Sequence, residues 1–309
     1  MNLLITGIHG FVGTNLVAKL QKEHCLFGLD IITSAKEGIV RTYMWDELSE
    51  LSDIDAVIHL AGKAHDTKNK SESKIYFDVN LGLTQKIYDW FLKSNARKFI
   101  FFSSVKAAAD VVKDDILTEH VVPKPIGPYG ESKIAAENYI LENPVEGKQI
   151  YILRPCMIHG PGNKGNLNLL YNVVKKGIPY PLGAFENKRS FTSIDNLSFV
   201  IKQFLEKNVP SGIYNMSDDE TLSTNELIHL IADVMNKRAR IWNWSPKFMH
   251  SLARLGTLIH FPLNSERLQK LTENYIVSNE KIKEAFGIKK MTVSAKEGFE
   301  ITIKSFENN

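Results

Sequence analysis

Short, unbroken apolar runs alternate with longer stretches of helical periodicity through the first half of the chain. Leu3-Leu4-Ile5, Leu26-Phe27-Gly28-Leu29, Ala56-Val57-Ile58-His59-Leu60 and Phe99-Ile100-Phe101-Phe102 lack the in-and-out alternation of a half-exposed strand. Runs of this kind mark strands covered on both faces. Between them, residues 11–22 and 74–93 carry apolar side chains at helical spacing, as do residues 131–141 ahead of another strand at 150–153. Strand and helix in turn predict βαβ units and a doubly wound, parallel α/β sheet. Past Arg154 the texture changes to Pro- and Gly-rich loops, short strands near 190–194 and 212–216, and amphipathic helices. Residues 1–155 are expected to form the sheet domain, with segments near 190–216 returning to it. Residues 156–309 are expected to supply mainly a smaller lobe.

Composition narrows the class. A chain of 309 residues, 43% hydrophobic, can bury a full core. Its 38 basic and 35 acidic residues leave a formal charge of +3, without the basic footprint of a nucleic-acid binder. Cys25 and Cys156 lie far apart in apolar surroundings, so two buried, reduced thiols are expected, with no disulfide and no metal site. Residues 2–6 run straight into a glycine turn without a cationic leader, which predicts no signal peptide and a cytoplasmic protein. Residues 248–263 are apolar but interrupted by His250, Arg254 and His260, short of the ~20 residues a spanning helix needs. That stretch is expected to be a helix of the second lobe, with contact to a membrane surface as the alternative.

The first candidate site is the turn after the first strand. Gly7, Gly10 and Gly13 give a G-x-x-G-x-x-G spacing between strand and helix. There a glycine permits a tight turn, a close approach of Phe11 and Val12 backbone to a pyrophosphate, and close helix–sheet packing. The helix N-terminus offers free N–H groups to phosphates. Asp30 ends the second strand, where a carboxylate accepts hydrogen bonds from both adenosine ribose hydroxyls and repels a 2′-phosphate. This favours NAD over NADP as cofactor. Lys36 and Arg41 lie too far along to change that reading, and His9 is read as a turn residue.

The second candidate is Tyr129-Gly130-Glu131-Ser132-Lys133. Residues four apart share a helix face, so an ammonium beneath the phenol favours the phenolate. With a nicotinamide cation near, the phenol's pKa is expected to fall from about 10 towards neutrality, ready to exchange a proton with a sugar hydroxyl or carbonyl. With 10 tyrosines, chance also produces Tyr171 and Lys175 at the same spacing. Only Tyr129 heads the helix after a sheet strand, and that strand ends in Ser103-Ser104, at the edge where doubly wound sheets bind ligands.

Taken together, the glycine turn, Asp30, His59-Leu60-Ala61-Gly62, Asn80, Ser104 and Tyr129/Lys133 resemble the extended short-chain dehydrogenases/reductases. Arg154-Pro155, Gly160-Pro161-Gly162 and Arg189-Ser190-Phe191 are similar to the nucleotide-sugar branch of that family. The resemblance implies a Rossmann-type domain binding NAD, with Leu60, Ala61, Gly62 and Lys63 passing along it and Asn80 bracing the site. It implies Tyr129 as acid/base, Lys133 as its electrostatic partner and Ser104, rather than Ser103, polarising the substrate oxygen. It also implies a nucleoside-diphosphate site in the second lobe. Asn163, Lys164 and Asn166 around a helix start and Arg189 as a bidentate clamp are the candidates, with Lys270 as a second base. A homodimer built on the 74–93 and 131–141 helices is implied as well.

Departures from that pattern narrow the chemistry. Sugar-nucleotide 4,6-dehydratases follow the catalytic hydroxyl with an Asp-Glu pair. Here the chain reads Ser104-Val105-Lys106-Ala107-Ala108-Ala109-Asp110, which disfavours elimination. The remaining expectation is a UDP-sugar 4-epimerase, with a 4-ketoreductase of a UDP-4-keto-6-deoxy sugar as the alternative. A silent dinucleotide-binding sensor would be expected to lack the tyrosine or lysine.

Overall fold

A computed structural model describes residues 1–64, 72–112, 116–163, 165–258 and 264–307. The sheet domain runs β1 (Asn2–Thr6), α1 (Phe11–Leu20), β2 (Cys25–Leu29), β3 (Arg41–Tyr43), β4 (Ala56–His59), α2 (Ser73–Tyr76), α3 (Gly82–Lys93), β5 (Lys98–Phe102), α4 (Val105–Ala108), α5 (Pro128–Glu142) and β6 (Gln149–Pro155). The rest continues β7 (Met157–His159), α6 (Asn166–Lys175), β8 (Phe191–Ser193), α7 (Ile194–Glu206), β9 (Gly212–Met216), α8 (Thr224–Val234), α9 (Pro246–Leu258), α10 (Ser265–Thr272), α11 (Glu280–Phe286) and α12 (Ala295–Glu307).

Seven parallel strands pair in the order β3-β2-β1-β4-β5-β6-β9. Every residue of β4 and β5 is buried, because helices cover both faces. The two-residue period of a strand sends Leu3 and Ile5 to one face and Leu4 to the other. Leu3, Ile5 and Ile58 pack with Leu16 and Leu20 of α1 and Ile201 and Phe204 of α7. Leu4, Val57, Phe99 and Phe101 pack with Ile87 and Phe91 of α3 and Ala136 and Ile140 of α5. β9 returns to the sheet beside β6, whereas the strand expected near 190–194 pairs with β7 in a separate ribbon.

Strand order reverses between β1 and β4, and in such sheets ligands sit in the crevice beyond the strand ends at that point. Two expectations need correction. Residues 74–93 are not one regular helix: Phe77–Leu81 widens into a π-turn between α2 and α3. Cys25 is exposed, because it opens β2 at the end opposite the crevice; Cys156 is buried, and burial pushes its thiol up. The second lobe packs α6, α8 and α12 around Leu167, Tyr171, Phe191, Ile231 and Phe299. There Tyr171 is part of the lobe core, with exposed Lys175 Nζ 5.6 Å above its ring, so this second Tyr/Lys pair is a packing contact of the second lobe.

Candidate active site

The glycine turn fills the space between β1 and α1. Gly7 sits at φ +70°, a conformation that costs glycine least, and a Cβ there would stand 3.0 Å from the Ala61 backbone. A Cβ on Gly13 would run into Gly7 O and lie 2.8 Å from Ile8 Cα, so helix and turn close on each other only with glycine there. Gly10 caps α1, whose first intrahelical bond is Thr14 N to Gly10 O at 2.9 Å. The amides of Phe11 and Val12 therefore face the crevice end of the helix as open donors. Asp30 is buried at the tip of β2, accepting from His9 N at 3.1 Å and Ile31 N at 2.7 Å. The buried Nε2 of His9 has no hydrogen-bond partner among the described residues. Lys36 folds back onto α1, where its Nζ donates to Thr14 Oγ1 at 3.1 Å, whereas Arg41 pairs with Glu50 at 2.7 Å.

The loop after β4 lies alongside this turn, held by a buried relay absent from the sequence-based expectations. Thr6 Oγ1 accepts from Leu60 N at 3.0 Å and Ala61 N at 2.8 Å, so its proton points to His59 Nδ1, 2.8 Å away. Thr84 Oγ1 donates to Asn80 O at 2.6 Å and so accepts from His59 Nε2 at 3.0 Å. These bonds fix His59 as the neutral Nε2–H tautomer. Burial, and then the Lys133 charge, hold its pKa down to about 3. The unfolded imidazole takes a proton near 6.5, so this contribution to stability is present above pH 6.5 and lost as pH falls towards 3. In a ¹⁵N-resolved NMR titration the His59 ring is therefore expected to stay neutral at pH 5, where surface histidines are already charged. A midpoint near 6.5 would contradict the relay.

Asn80 lies in the π-turn, the type of helix irregularity that often accompanies functional sites. Its Oδ1 accepts from Lys63 N at 2.7 Å and its Nδ2 donates to Ser132 Oγ at 2.9 Å, tying the β4 loop to α5. A Cβ on Gly62 would stand 2.9 Å from Asn80 Oδ1 and 3.1 Å from Lys133 Nζ, so Gly62, Asn80 and Lys133 form one cluster.

Gly127 at φ +83° and Pro128 at the first helical position start α5, placing Tyr129 in its opening turn. Tyr129 is hydrogen-bonded to Ser104 and edge-on to Tyr76, ring centroids 6.3 Å apart. Burial raises its pKa and the Ser104 hydroxyl partly offsets this. The expected fall towards neutrality is thus not produced by the protein's own groups. Lys133, one turn on, donates to Phe102 O at 2.8 Å. Burial depresses its pKa to about 8 against the opposing pull of Glu137. Glu137 continues the same helix face and forms a buried pair with Arg154, whose Nε lies 2.9 Å from Oε1, and it accepts from Ser103. Ser103 is thereby committed to Glu137, leaving Ser104 as the hydroxyl beside Tyr129. The Glu137–Arg154 pair escaped the sequence reading, although a carboxylate four residues beyond Lys133 on a helix face that packs on the sheet was its available signal.

The second-lobe candidates are not gathered in the same way. Asn163 N bonds Gly160 O at 3.1 Å in a loop whose Pro161 carbonyl accepts from Asn15 of α1 at 2.9 Å. Asn166 opens α6, and Lys164 lies outside the described residues. The Arg189 guanidinium is already held by the carbonyls of Lys270 and Glu273 and lies 3.7 Å from the Glu273 carboxylate. Burial lowers its pKa. Lys270 pairs with Glu266 at 2.8 Å on the exposed side of α10. Tyr275, unremarked in the sequence, joins the two regions. Its hydroxyl donates to Ala109 O at 2.7 Å, its ring lies under Lys106 Nζ at 4.9 Å, and its backbone pairs with Arg189. Lys106 in turn holds Asp110 at 2.8 Å. Among the described residues no group of three or more His, Cys, Asp or Glu gathers as a metal site would.

The model of the NAD dependent epimerase/dehydratase family matches residues 3–217. A UDP-glucose 4-epimerase of Vibrio cholerae is 31% identical, covering 99% of this chain and 95% of that protein. The N-acetyl-alpha-D-glucosaminyl-diphospho-ditrans,octacis-undecaprenol 4-epimerase of Escherichia coli O157:H7 is 28% identical, covering 91% of this chain and 84% of its own length. The same fold recurs in UDP-glucuronic acid 4-epimerase from Bacillus cereus in complex with NAD, with a TM-score of 0.75 at 21% identity, covering 100% of this chain and 99% of that one. With a seven-stranded sheet in the dinucleotide-binding order and a family match that spans most of its length, the chain belongs to the NAD dependent epimerase/dehydratase family of enzymes.

Proposed function

We propose that the protein is a nucleotide-sugar 4-epimerase acting on a UDP-hexose or UDP-N-acetylhexosamine. The observation that carries this reading is the Ser104–Tyr129 hydrogen bond beside buried Lys133, at the sheet edge next to the glycine turn. The residues fit a dinucleotide: Gly7, Gly10 and Gly13 form a cradle that side chains would fill. Asp30 directly follows β2, and the buried His9 Nε2 has no hydrogen-bond partner among the described residues. When bound, NAD supplies a hydride acceptor and a positive charge that opposes the burial of a phenolate. Tyr129 takes the proton from the C4 hydroxyl as the hydride leaves, and returns it when the hydride comes back to the other face. Ser104 donates to the C4 oxygen, and Lys133 fixes a positive charge beneath the phenol. Asp110, the nearest carboxylate downstream of Ser104, is tied to Lys106, which supports redox turnover over elimination. On the diphosphate, Arg189 would exchange the α10 carbonyls for phosphate oxygens, with Asn163, Lys164, Asn166 and Lys270 as further candidates. Exposed Leu141 on α5 and half-buried Trp90 on α3 leave apolar surface on both helices, which supports pairing as a homodimer.

A 4-ketoreductase of a UDP-4-keto-6-deoxy sugar would use the same three residues but exchange its cofactor every turnover. Mass spectrometry of the dinucleotide released on denaturation separates the two readings. Stoichiometric NAD is the expected result. An empty protein that oxidises NADH would move the assignment to the reductase, and NADP would contradict the role given to Asp30.

A further inference from the structure

Helix α9 buries one side and leaves an apolar ridge on the next. Met249, Ala253 and Gly256 are buried, the first two packing with Leu268 of α10 and Leu182. Phe248, Leu255 and Leu258, at successive spacings of seven and three residues, share an adjacent strip and are 53%, 53% and 77% exposed. Trp242 and Trp244 extend it: their rings stack with centroids 5.8 Å apart, and Trp244 meets Phe248 edge-on at 5.6 Å. Both tryptophans are also exposed, so the three aromatic rings form one continuous patch, with Leu255 and Leu258 exposed further along the same helix. Scattered exposed apolar residues need no explanation, but a contiguous strip with aromatics marks an interaction surface.

The charged residues of the surrounding segment are nearly all of one sign. Lys247 and Arg254 fall on the helix flank beyond it, and Lys237, Arg238, Arg240 and Arg267 are exposed nearby in sequence. Glu266 is the single acidic residue in 236–272, and Lys270 already pairs with it. Over the whole chain basic and acidic residues nearly balance, at 38 and 35, so the local excess is a property of this segment. An in-plane apolar ridge carrying Trp and Phe, flanked by Lys and Arg, is the arrangement of a helix that lies in the interface of an anionic bilayer. Among the described residues no helix is long and apolar enough to cross a membrane, so the contact is with the surface.

We infer that α9, with Trp242 and Trp244, docks the protein peripherally on an anionic phospholipid surface. Docking here turns the second lobe towards the bilayer, because α9 packs on α10, whose last carbonyls hold Arg189. It is independent of the chemistry at Tyr129, which tests of membrane binding leave intact.

The experiment is co-sedimentation of the full chain with phosphatidylcholine vesicles, with and without phosphatidylglycerol, at low and high salt. The expected result is salt-sensitive binding to the anionic vesicles alone, with a blue shift of tryptophan emission. Lys247→Ala/Arg254→Ala is expected to weaken partitioning about twenty-five-fold, roughly fivefold for each basic side chain at an anionic surface. Phe248→Ser/Leu255→Ser is expected to abolish the blue shift. All four side chains are exposed, so melting temperatures and turnover on soluble substrate stay at wild-type values. Wild-type protein that stays in the supernatant with anionic vesicles overturns the inference. So does sedimentation analysis in which Phe248→Ser/Leu255→Ser splits a larger species, which would make a second copy the occupant of the ridge.

Discussion

Replacing Tyr129 with Phe is expected to lower kcat about 10²- to 10⁴-fold, the usual contribution of a positioned acid/base group. The change removes one hydroxyl, bonded to Ser104, and keeps the ring that packs edge-on to Tyr76. Stability should therefore stay near that of the wild type. KM should change little, because the phenol acts on the proton in flight and contributes little to ground-state binding. Steady-state kinetics on the active sugar nucleotide, with Tm measured alongside, checks both parts. Activity within tenfold of wild type would remove Tyr129 from the chemistry. A loss of folding would show that its role is packing.

Arg154→Ala is expected to destabilise the protein by about 3–5 kcal/mol, the cost of leaving a buried carboxylate without its cation. The Arg154 and Glu137 side chains are 1% and 0% exposed, with Nε contacts of 2.9 and 3.1 Å to the two carboxylate oxygens. Glu137→Leu/Arg154→Met, which removes both charges and keeps the volume, should recover most of that loss. It should not restore Lys133, whose ammonium Glu137 supports against burial. The double variant is thus expected to fold well while its Lys133 titrates lower than in the wild type. Urea unfolding reads the stability and an NMR titration of the lysine reads the second effect. Equal stability losses in the single and double variants would contradict the pairing.

What the sequence revealed follows from how locally each feature is encoded. Strands β1, β2, β4, β5 and β6 were legible because central parallel strands need apolar residues on both faces, and those runs stand out without any partner in view. The glycine turn was legible because three glycines between strand and helix meet a steric demand within seven residues. Tyr129 and Lys133 were legible through their shared helix face.

Features that depend on distant partners were not. The π-turn that presents Asn80 is a backbone response to packing against α5 and the β4 loop, and its residues read as ordinary helix. The relay from Thr6 through His59 to Thr84 joins residues far apart in sequence. Arg189 was expected to reach for a diphosphate; its hold on the α10 carbonyls depends on how the second lobe closes. β8 reads as a strand, but nothing local tells it to pair with β7 rather than the main sheet. Cys25 looked buried because its run is apolar, yet it stands at the strand's exposed end.

The epimerase assignment is tested by ¹H NMR of UDP-glucose or UDP-N-acetylglucosamine incubated with purified protein and no added cofactor. A self-regenerating 4-epimerase should bring at least one of these to an equilibrium with its C4 epimer, and Tyr129→Phe should all but stop the conversion. Both sugars remaining unchanged, while a UDP-4-keto-6-deoxy sugar is reduced with one NADH consumed per product, would contradict the account and make the enzyme a ketoreductase.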